Sequence, residues 1–327
     1  MPTTEKLHQL PAPKPELVEF LGLNHETIST RPAHGGHMAY NRYFIVDDAS
    51  EYFVKAHDAS KFTDKKREAN SLKYLDKEAA YMKHIQEVAS QTVPQVHGVI
   101  EGALVLESLS EEKGWHWRAP RDEDQREQYV KDVLGIFENI ENAPVIAEKL
   151  IDSHPALDVF LKDGWQALAE KKPKLLKKAS DWRSQLSSEN QRYFARLIND
   201  MMFVEPSTVA RNLSKLNKKQ VLSHHDARQA NIAWHPDHGV KIVDWSWADP
   251  GTEGADSTMF LIDLAKSGHD VTQYMDTHFD DDHAMLLLGY YLSRSLDDAF
   301  EGNEDVRFHQ FASAVTTYRL LVSTKND

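Results

Sequence analysis

The segment LSHHDARQAN, at residues 222–231, places several polar side chains close together, and a further aspartate, Asp244, follows in VDW. A carboxylate such as Asp226 can accept a proton from a hydroxyl group. The amide oxygen of Asn231 and the carboxylate of Asp244 are hard oxygen ligands of the kind that Mg²⁺ takes. The types and spacing of these residues therefore indicate proton transfer beside a divalent cation.

A β-hairpin is predicted between Asn231 and Asp244. Two short apolar segments, NIAW and VKIVDW, flank the turn-forming residues HPDHG. If the hairpin is centred between Asp237 and His238, Asn231 lies directly opposite Asp244. Opposed residues share one face of a sheet, with Cβ atoms roughly 4.5–5.5 Å apart. We therefore expect the amide and the carboxylate to meet at one cation.

The pattern HxDxxxxN, followed by a hairpin and an aspartate, resembles the catalytic loop and metal-binding aspartate of the kinase fold. With VDW in place of DFG, it is similar to the aminoglycoside phosphotransferase and choline kinase-like family, whose members phosphorylate small molecules. The resemblance implies an α+β, bilobal protein-kinase-like fold with a small antiparallel-sheet N-lobe and a larger helical C-lobe. It also implies that Asp226 is the catalytic base, that Asn231 and Asp244 hold Mg²⁺, and that His224 braces the loop.

The resemblance extends upstream to residues that would bind the nucleotide. Lys55, in the strand-like segment YFVKA, takes the place of the family's phosphate-binding lysine. Glu78 is expected to pair with Lys55, and Glu68 is the alternative. The segment LVLESL matches the strand that receives adenine, which implies nucleotide contacts at Glu107 and Leu109.

Two further positions complete the resemblance. The loop RPAHGGHMAYN departs from the pattern GxGxxG, so Gly35 and Gly36 are the candidates for phosphate binding and a simple turn is the alternative. Asp256 matches the family's helix-leading aspartate that braces the catalytic loop.

The N-terminal part of the chain is predicted to be sheet-rich. Residues 26–57 alternate like three strands, and the turn chemistry of DDAS separates the last two. Residues 60–90 predict a charged helix, and VPQVHGVI and ALVLESL predict two more strands. We therefore predict a nucleotide-binding lobe at residues 1–108, with a leading tail at residues 1–18.

The remainder, residues 109–327, is predicted to be a helical lobe that carries the catalytic loop and the substrate site. Apolar residues at helical spacing predict one helix that buries Val130, Val133, Leu134 and Phe137. Ser188 and Gln191 suggest a capping box for a second helix, whose apolar face would continue to Met202.

Charge and composition limit the classes of partner and the compartment. The 38 basic and 51 acidic residues give a net charge of −13, which disfavours nucleic acid and anionic membranes and would favour a cationic small molecule. The chain has no cysteine, so disulfides and thiolate sites are excluded. The N-terminus lacks the apolar core of a signal peptide, and no window approaches the roughly 20 apolar residues of a membrane span. These features predict a cytoplasmic protein.

The sequence thus predicts an ATP-dependent phosphotransferase that uses Mg²⁺ and a small-molecule hydroxyl acceptor, with GTP as an alternative donor. A catalytically silent nucleotide-binding module and a metal-dependent hydrolase remain alternatives. A protein kinase would require HRD, DFG and APE elements, which the sequence lacks. The acceptor, a role in antibiotic resistance and the oligomeric state stay open.

Overall fold

The computed structural model describes residues 12–33, 40–62, 64–144, 156–215, 218–299 and 305–323. Contacts divide the chain into two compact units. The first contains the described residues up to Trp117 together with residues 233–247, and the second contains the other described residues. The lobe boundary at residue 108 stays a prediction, but these contacts group the hairpin segment with the N-terminal residues.

The first unit is built on a five-stranded antiparallel sheet with the order β1-β2-β3-β5-β4. Asp47 closes the β2–β3 turn by accepting the backbone N–H of Ala49 at 2.9 Å, as the DDAS segment predicts. The sheet confirms the expected α+β class. Its strands are β1 (Ser29–Pro32), β2 (Tyr40–Val46), β3 (Glu51–His57), β4 (Val96–Ile100) and β5 (Ala103–Glu107).

Two helices and a hairpin complete the first unit. Helix α1 (Pro15–Phe20) lies partly in the segment predicted as a leading tail, but its Leu17 is buried in the same apolar core as strands β2, β3 and β5. Helix α2 (Lys65–Val88) is the predicted charged helix. Strands β7 (Ile232–His235) and β8 (Gly239–Ile242) pair as a two-stranded sheet.

The second unit is mainly helical and has one small antiparallel sheet. Strand β6 (Gln220–Ser223) pairs with β9 (Asp249–Thr252), so that Ser223 is opposite Asp249. Its elements are α3 (Glu123–Glu141), α4 (Ala156–Leu161), α5 (Ala167–Trp182), α6 (Ser188–Phe203), α7 (Pro206–Leu213), β6 (Gln220–Ser223), β9 (Asp249–Thr252), α8 (Ala255–Lys266), α9 (Thr272–His278), α10 (Asp281–Ser295) and α11 (Val306–Ser323).

Helix α11 lies at the centre of this unit. Every residue from Phe311 to Leu321 is buried, as expected for a helix surrounded by others. Helices α6, α8 and α10 contact it. In the described part of the chain, no helix is long and apolar enough to cross a membrane.

Helix α3 buries its four predicted apolar residues, but the details predicted for α6 were wrong. The N-cap of α6 is Ser187, whose hydroxyl accepts the backbone N–H of Asn190 at 3.2 Å. Ser188 is the first helical residue and therefore cannot form the capping box predicted with Gln191. Met202 is 49% exposed and does not continue the buried face.

Candidate functional site

The first unit contains a buried ammonium group between two carboxylates. Lys55 lies on β3, and its Nζ is 2.7 Å from Oε2 of Glu78 on α2 and 2.8 Å from Oδ1 of Asp244. The lysine and Glu78 are 3% and 2% exposed. A charged pair so far from water is stable only when its partners are close and well oriented. The structure therefore brings together three of the predicted site residues.

The charge state of this cluster follows from burial and from attraction. Burial opposes the ammonium form of Lys55, but the charges of Asp244 and Glu78 outweigh it and hold the pKa of Lys55 above its usual value. Burial raises the pKa of Glu78, although the ammonium group favours its ionised form. Lys55 is therefore a positive charge held at a fixed position.

The backbone and its neighbours fix the position of Asp244. Its φ of 64° lies in the left-handed region that few residues other than glycine adopt. The hydroxyl of Ser246 donates to Oδ1 of Asp244 at 3.2 Å. The next residue after Asp244 is Trp245, whose indole N–H donates to the carbonyl of Ile242 at 3.0 Å. Such a backbone conformation persists only where the surrounding contacts hold it.

Arg42 is a second cation near Asp244, and no motif of the sequence indicates it. Its Nη2 is 3.6 Å from Oδ2 of Asp244. Arg42 lies directly opposite Lys55 in the β2–β3 pair, so the two side chains share a face of the sheet. The register of the strands predicted from YNRYFIV and EYFVKA is the signal that could have identified it.

In the second unit, Asp226 is held by two side chains from its own loop. Nε and Nη2 of Arg228 donate to Oδ1 and Oδ2 of Asp226 at 2.6 and 2.8 Å. Nδ2 of Asn231 donates to Oδ2 at 2.8 Å and to the carbonyl of Asp226 at 2.9 Å. Both carboxylate oxygens are therefore engaged. The bidentate contact of Arg228 was not predicted, because loop conformation determines it.

Asp256, in the first turn of α8, braces the same loop. Its two carboxylate oxygens accept the backbone N–H groups of His224 at 2.6 Å and of His225 at 2.9 Å. His225 has a φ of 61°, and Nδ1 of His224 accepts the N–H of Asp226 at 3.1 Å. Burial raises the pKa of Asp256, and the two N–H groups oppose that effect. Asp256 thus stabilises an otherwise unfavourable loop conformation.

Residues 29–288 match the model of the phosphotransferase enzyme family. The chain belongs to this family. Because the match includes both described clusters, the kinase-like resemblance of the sequence is confirmed. The sequence has no significant match among curated proteins.

Solved structures show that the fold of this family member is shared with several phosphotransferases. Spectinomycin phosphotransferase APH(9)-Ia, in complex with ADP and spectinomycin, is 12% identical with a TM-score of 0.56, and the alignment covers 97% of this chain and 100% of that one. Choline kinase LicA from Streptococcus pneumoniae is 12% identical with a TM-score of 0.54, and the coverage is 94% and 95%. At these identities the similarity shows the kinase-like fold.

A third solved structure is the streptomycin–ATP–APH(2")-IIa ternary complex. It is 12% identical with a TM-score of 0.52, and the alignment covers 95% of this chain and 99% of that one.

The remaining predicted residues of this family member lie in varied surroundings. Oε2 of Glu107 is 2.5 Å from Nζ of Lys241. Leu109 is buried and packs with Trp115 and Ala233. Glu68 is the alternative partner of Lys55, but its Oε1 lies 3.7 Å from Nε2 of His57. Gly35 and Gly36 lie outside the described residues. The roles of all these residues in nucleotide binding stay predictions.

Proposed function

We propose that the protein transfers the γ-phosphate of ATP to a hydroxyl group of a small molecule. The observation that carries this proposal is the buried Lys55 ammonium between Glu78 and Asp244, in a chain that belongs to a phosphotransferase family. A fixed positive charge of this kind offsets the negative charge of a phosphate without reorganisation during the reaction. Solved structures of the same fold include complexes with ADP and with ATP, which supports a nucleotide as the phosphate donor.

Oxygen ligands for a divalent cation are present in the predicted residues. Asn231 uses its Nδ2 to bind Asp226, and its Oδ1 accepts no hydrogen bond from any described residue. Asp244 presents a carboxylate. Amide and carboxylate oxygens fit Mg²⁺, and we propose these two residues as its ligands. Bound Mg²⁺ would offset negative charge on the nucleotide phosphates.

Asp226 is the proposed base. The acceptor oxygen forms a bond to the γ-phosphorus, the bond from that phosphorus to the ADP oxygen breaks, and the hydroxyl proton goes to a carboxylate oxygen of Asp226. Arg228 and Asn231 donate one hydrogen bond to Oδ1 and two to Oδ2. Because each carboxylate oxygen has two lone pairs, Oδ1 can also accept the hydroxyl of the acceptor. The existing bonds keep the carboxylate oriented while it accepts the proton.

Aromatic side chains of the second unit lie beside the loop of Asp226, and the ring centroid of Phe160 is 5.8 Å from that of His225. Tyr290 on α10 stacks edge-on against Phe160, with ring centroids 4.9 Å apart. Burial raises the pKa of Tyr290, and the charges of Arg294 and Asp226 also act on its hydroxyl. Spectinomycin and streptomycin are named in solved structures of the same fold, and both are small molecules. We propose an acceptor of this size, and the net charge of −13 favours one that is cationic.

The test is the substitution Asp226→Asn, with acceptors screened by ADP release and by the mass of the product. The wild type should phosphorylate at least one hydroxyl compound. Asp226→Asn should lower kcat about 10²- to 10⁴-fold, because an amide cannot accept the proton. Binding of Mg-ATP, measured by calorimetry, should stay within about threefold of the wild type, because the base contacts the acceptor rather than the nucleotide.

Asp237→Asn is the matched control. It makes the same change at an exposed position in the hairpin turn and should leave kcat unchanged. Full turnover by Asp226→Asn would refute the assigned base. Binding of ATP by the wild type with no transfer to any acceptor would instead favour the silent nucleotide-binding module.

A further inference from the structure

Two cations lie opposite each other on neighbouring strands of the first unit. Arg42 on β2 is the register partner of Lys55 on β3. The side chain of Arg42 is only 16% exposed. Like charges at directly opposed positions destabilise a sheet unless anions offset them. The described anions near this pair are Glu78 and Asp244, so the charges balance and the open question is whether each cation has its hydrogen-bond partners.

The two carboxylates are not shared equally between the cations. Lys55 has both of them at hydrogen-bonding distance, 2.7 and 2.8 Å. Arg42 approaches Asp244 only to 3.6 Å, which is too long for a hydrogen bond. Its Nε is buried and has no hydrogen-bond partner among the described residues. Most buried polar groups in proteins are hydrogen-bonded, so an unpaired guanidinium donor requires an explanation.

We propose that Arg42 is a second phosphate-binding residue of the nucleotide site, in addition to Lys55. This inference rests on the proposed function. A guanidinium group has five N–H donors in a planar fork that fits the oxygens of a phosphate, and an anion with several oxygens supplies the partners that Arg42 lacks. The phosphates of the bound nucleotide are therefore the proposed hydrogen-bond partners of Arg42.

The position of Asp244 indicates which phosphates Arg42 binds. Asp244 is a proposed ligand of Mg²⁺, which would supply positive charge beside the terminal phosphates of the nucleotide. Arg42 faces the carboxylate of Asp244 rather than Glu78. It therefore binds the β- or γ-phosphate and makes no contact with adenosine or with the α-phosphate. The sequence also lacks the pattern GxGxxG, whose backbone N–H groups would otherwise supply phosphate contacts.

The experiment measures the affinities of four ligands, adenosine, AMP, ADP and ATP, in the presence of Mg²⁺. Arg42→Gln should weaken ADP and ATP binding about 10- to 100-fold, the loss expected for a hydrogen bond to a charged group. Adenosine and AMP should change by less than about threefold. Arg42→Lys keeps the charge but loses the fork, so its affinity for ATP should lie between those of the wild type and Arg42→Gln. Arg67→Gln removes the same charge from an exposed position on α2 and should change none of the four affinities.

Equal losses for AMP and ATP in Arg42→Gln would show a structural role and overturn the proposal. Unchanged ATP and ADP binding would overturn it as well, while leaving the proposed function intact. A wild type that binds neither ADP nor ATP would overturn both.

A measurement on the wild type covers the case in which Arg42→Gln does not fold. Modification of Arg42 by phenylglyoxal, located by peptide mass spectrometry, should slow in the presence of Mg-ADP and not in the presence of adenosine. Equal modification rates with and without Mg-ADP would contradict the proposal.

Discussion

At the scale of single residues, the Lys55–Glu78 pair shows why a buried charge needs its partner. Each charged group alone would be strongly disfavoured in this environment, and the charged form of each is favoured by the other at 2.7 Å. Burial already raises the pKa of Glu78 while the ammonium group opposes that rise. Removal of the ammonium group takes away the nearest charge that lowers the pKa of Glu78, while burial still raises that pKa.

We therefore expect Lys55→Met to be more destabilised at high pH than at low pH. Without the ammonium group the pKa of Glu78 rises further, so the folded protein holds a proton that the unfolded chain releases above its ordinary pKa of about 4.5. The folded state then binds more protons than the unfolded state, and stability falls as pH rises through this range. Urea denaturation should show a loss of about 3–5 kcal/mol near pH 8 and a smaller loss near pH 5.

The control for this prediction is the double variant Lys55→Met with Glu78→Gln. Because it lacks the carboxyl group, the difference between the two pH values should disappear. An equal loss of stability at both pH values in the single variant would contradict the assigned cause.

At the scale of elements, strands and helices with strong periodicity could be predicted, whereas β6 and β9 could not. The strand β9 contains Pro250 and Gly251, which are unfavourable inside strands, and only its pairing with β6 makes it a strand. That pairing leads into α8, whose Asp256 binds the loop at His224. The family resemblance predicted that Asp256 braces this loop, and periodicity alone could not have predicted it.

The candidate site shows the same division between local and long-range information. The pairing of Lys55 with Glu78 was predicted from the order of motifs along the chain. Arg42 and Arg228 were not selected, because their importance depends on strand register and on loop conformation. Residue type and spacing indicate which chemistry is available, and tertiary contacts decide which charges face each other.

Two glycines in helices should respond to alanine in opposite directions. Gly289 on α10 packs against the ring of Trp165, which is fully buried and donates to the carbonyl of Met285 at 2.7 Å. A Cβ at Gly289 would overlap that ring, so Gly289→Ala should lose about 1–3 kcal/mol. Gly135 on α3 has open space at its Cβ position, so Gly135→Ala should gain up to about 1 kcal/mol from helix propensity.

Thermal and urea unfolding of both glycine variants test this packing. Tyr290 follows Gly289 directly and packs against Phe160, which contacts His225 next to Asp226. Gly289→Ala should therefore also lower turnover, whereas Gly135→Ala should not. Stabilisation by Gly289→Ala would show that α10 does not pack closely against Trp165.

At the scale of the whole molecule, the net charge of −13 opposes the approach of an anionic nucleotide. Binding must therefore depend on local cations, and Lys55 and Arg42 are held close to Asp244 on the sheet of the first unit. A ligand that binds only the folded state stabilises it in proportion to the logarithm of its concentration. Binding of the nucleotide at these cations should therefore stabilise the folded protein.

We expect Mg-ATP to raise the melting temperature of the protein and EDTA to reverse most of that rise. At a concentration of about 100 times Kd, the added stability is about 2.7 kcal/mol, because the free energy follows the ratio of ligand concentration to Kd. Chelation removes the cation that would hold the phosphates at Asp244, so ATP alone should bind more weakly. Calorimetry over a series of ATP concentrations, with and without EDTA, measures both effects.

Lys55→Met, compared at the same ligand concentrations, should show a much smaller rise in melting temperature, since it lacks the ammonium group. A melting temperature that does not change at millimolar Mg-ATP would exclude the nucleotide site, whereas an equal rise with and without EDTA would exclude only the metal.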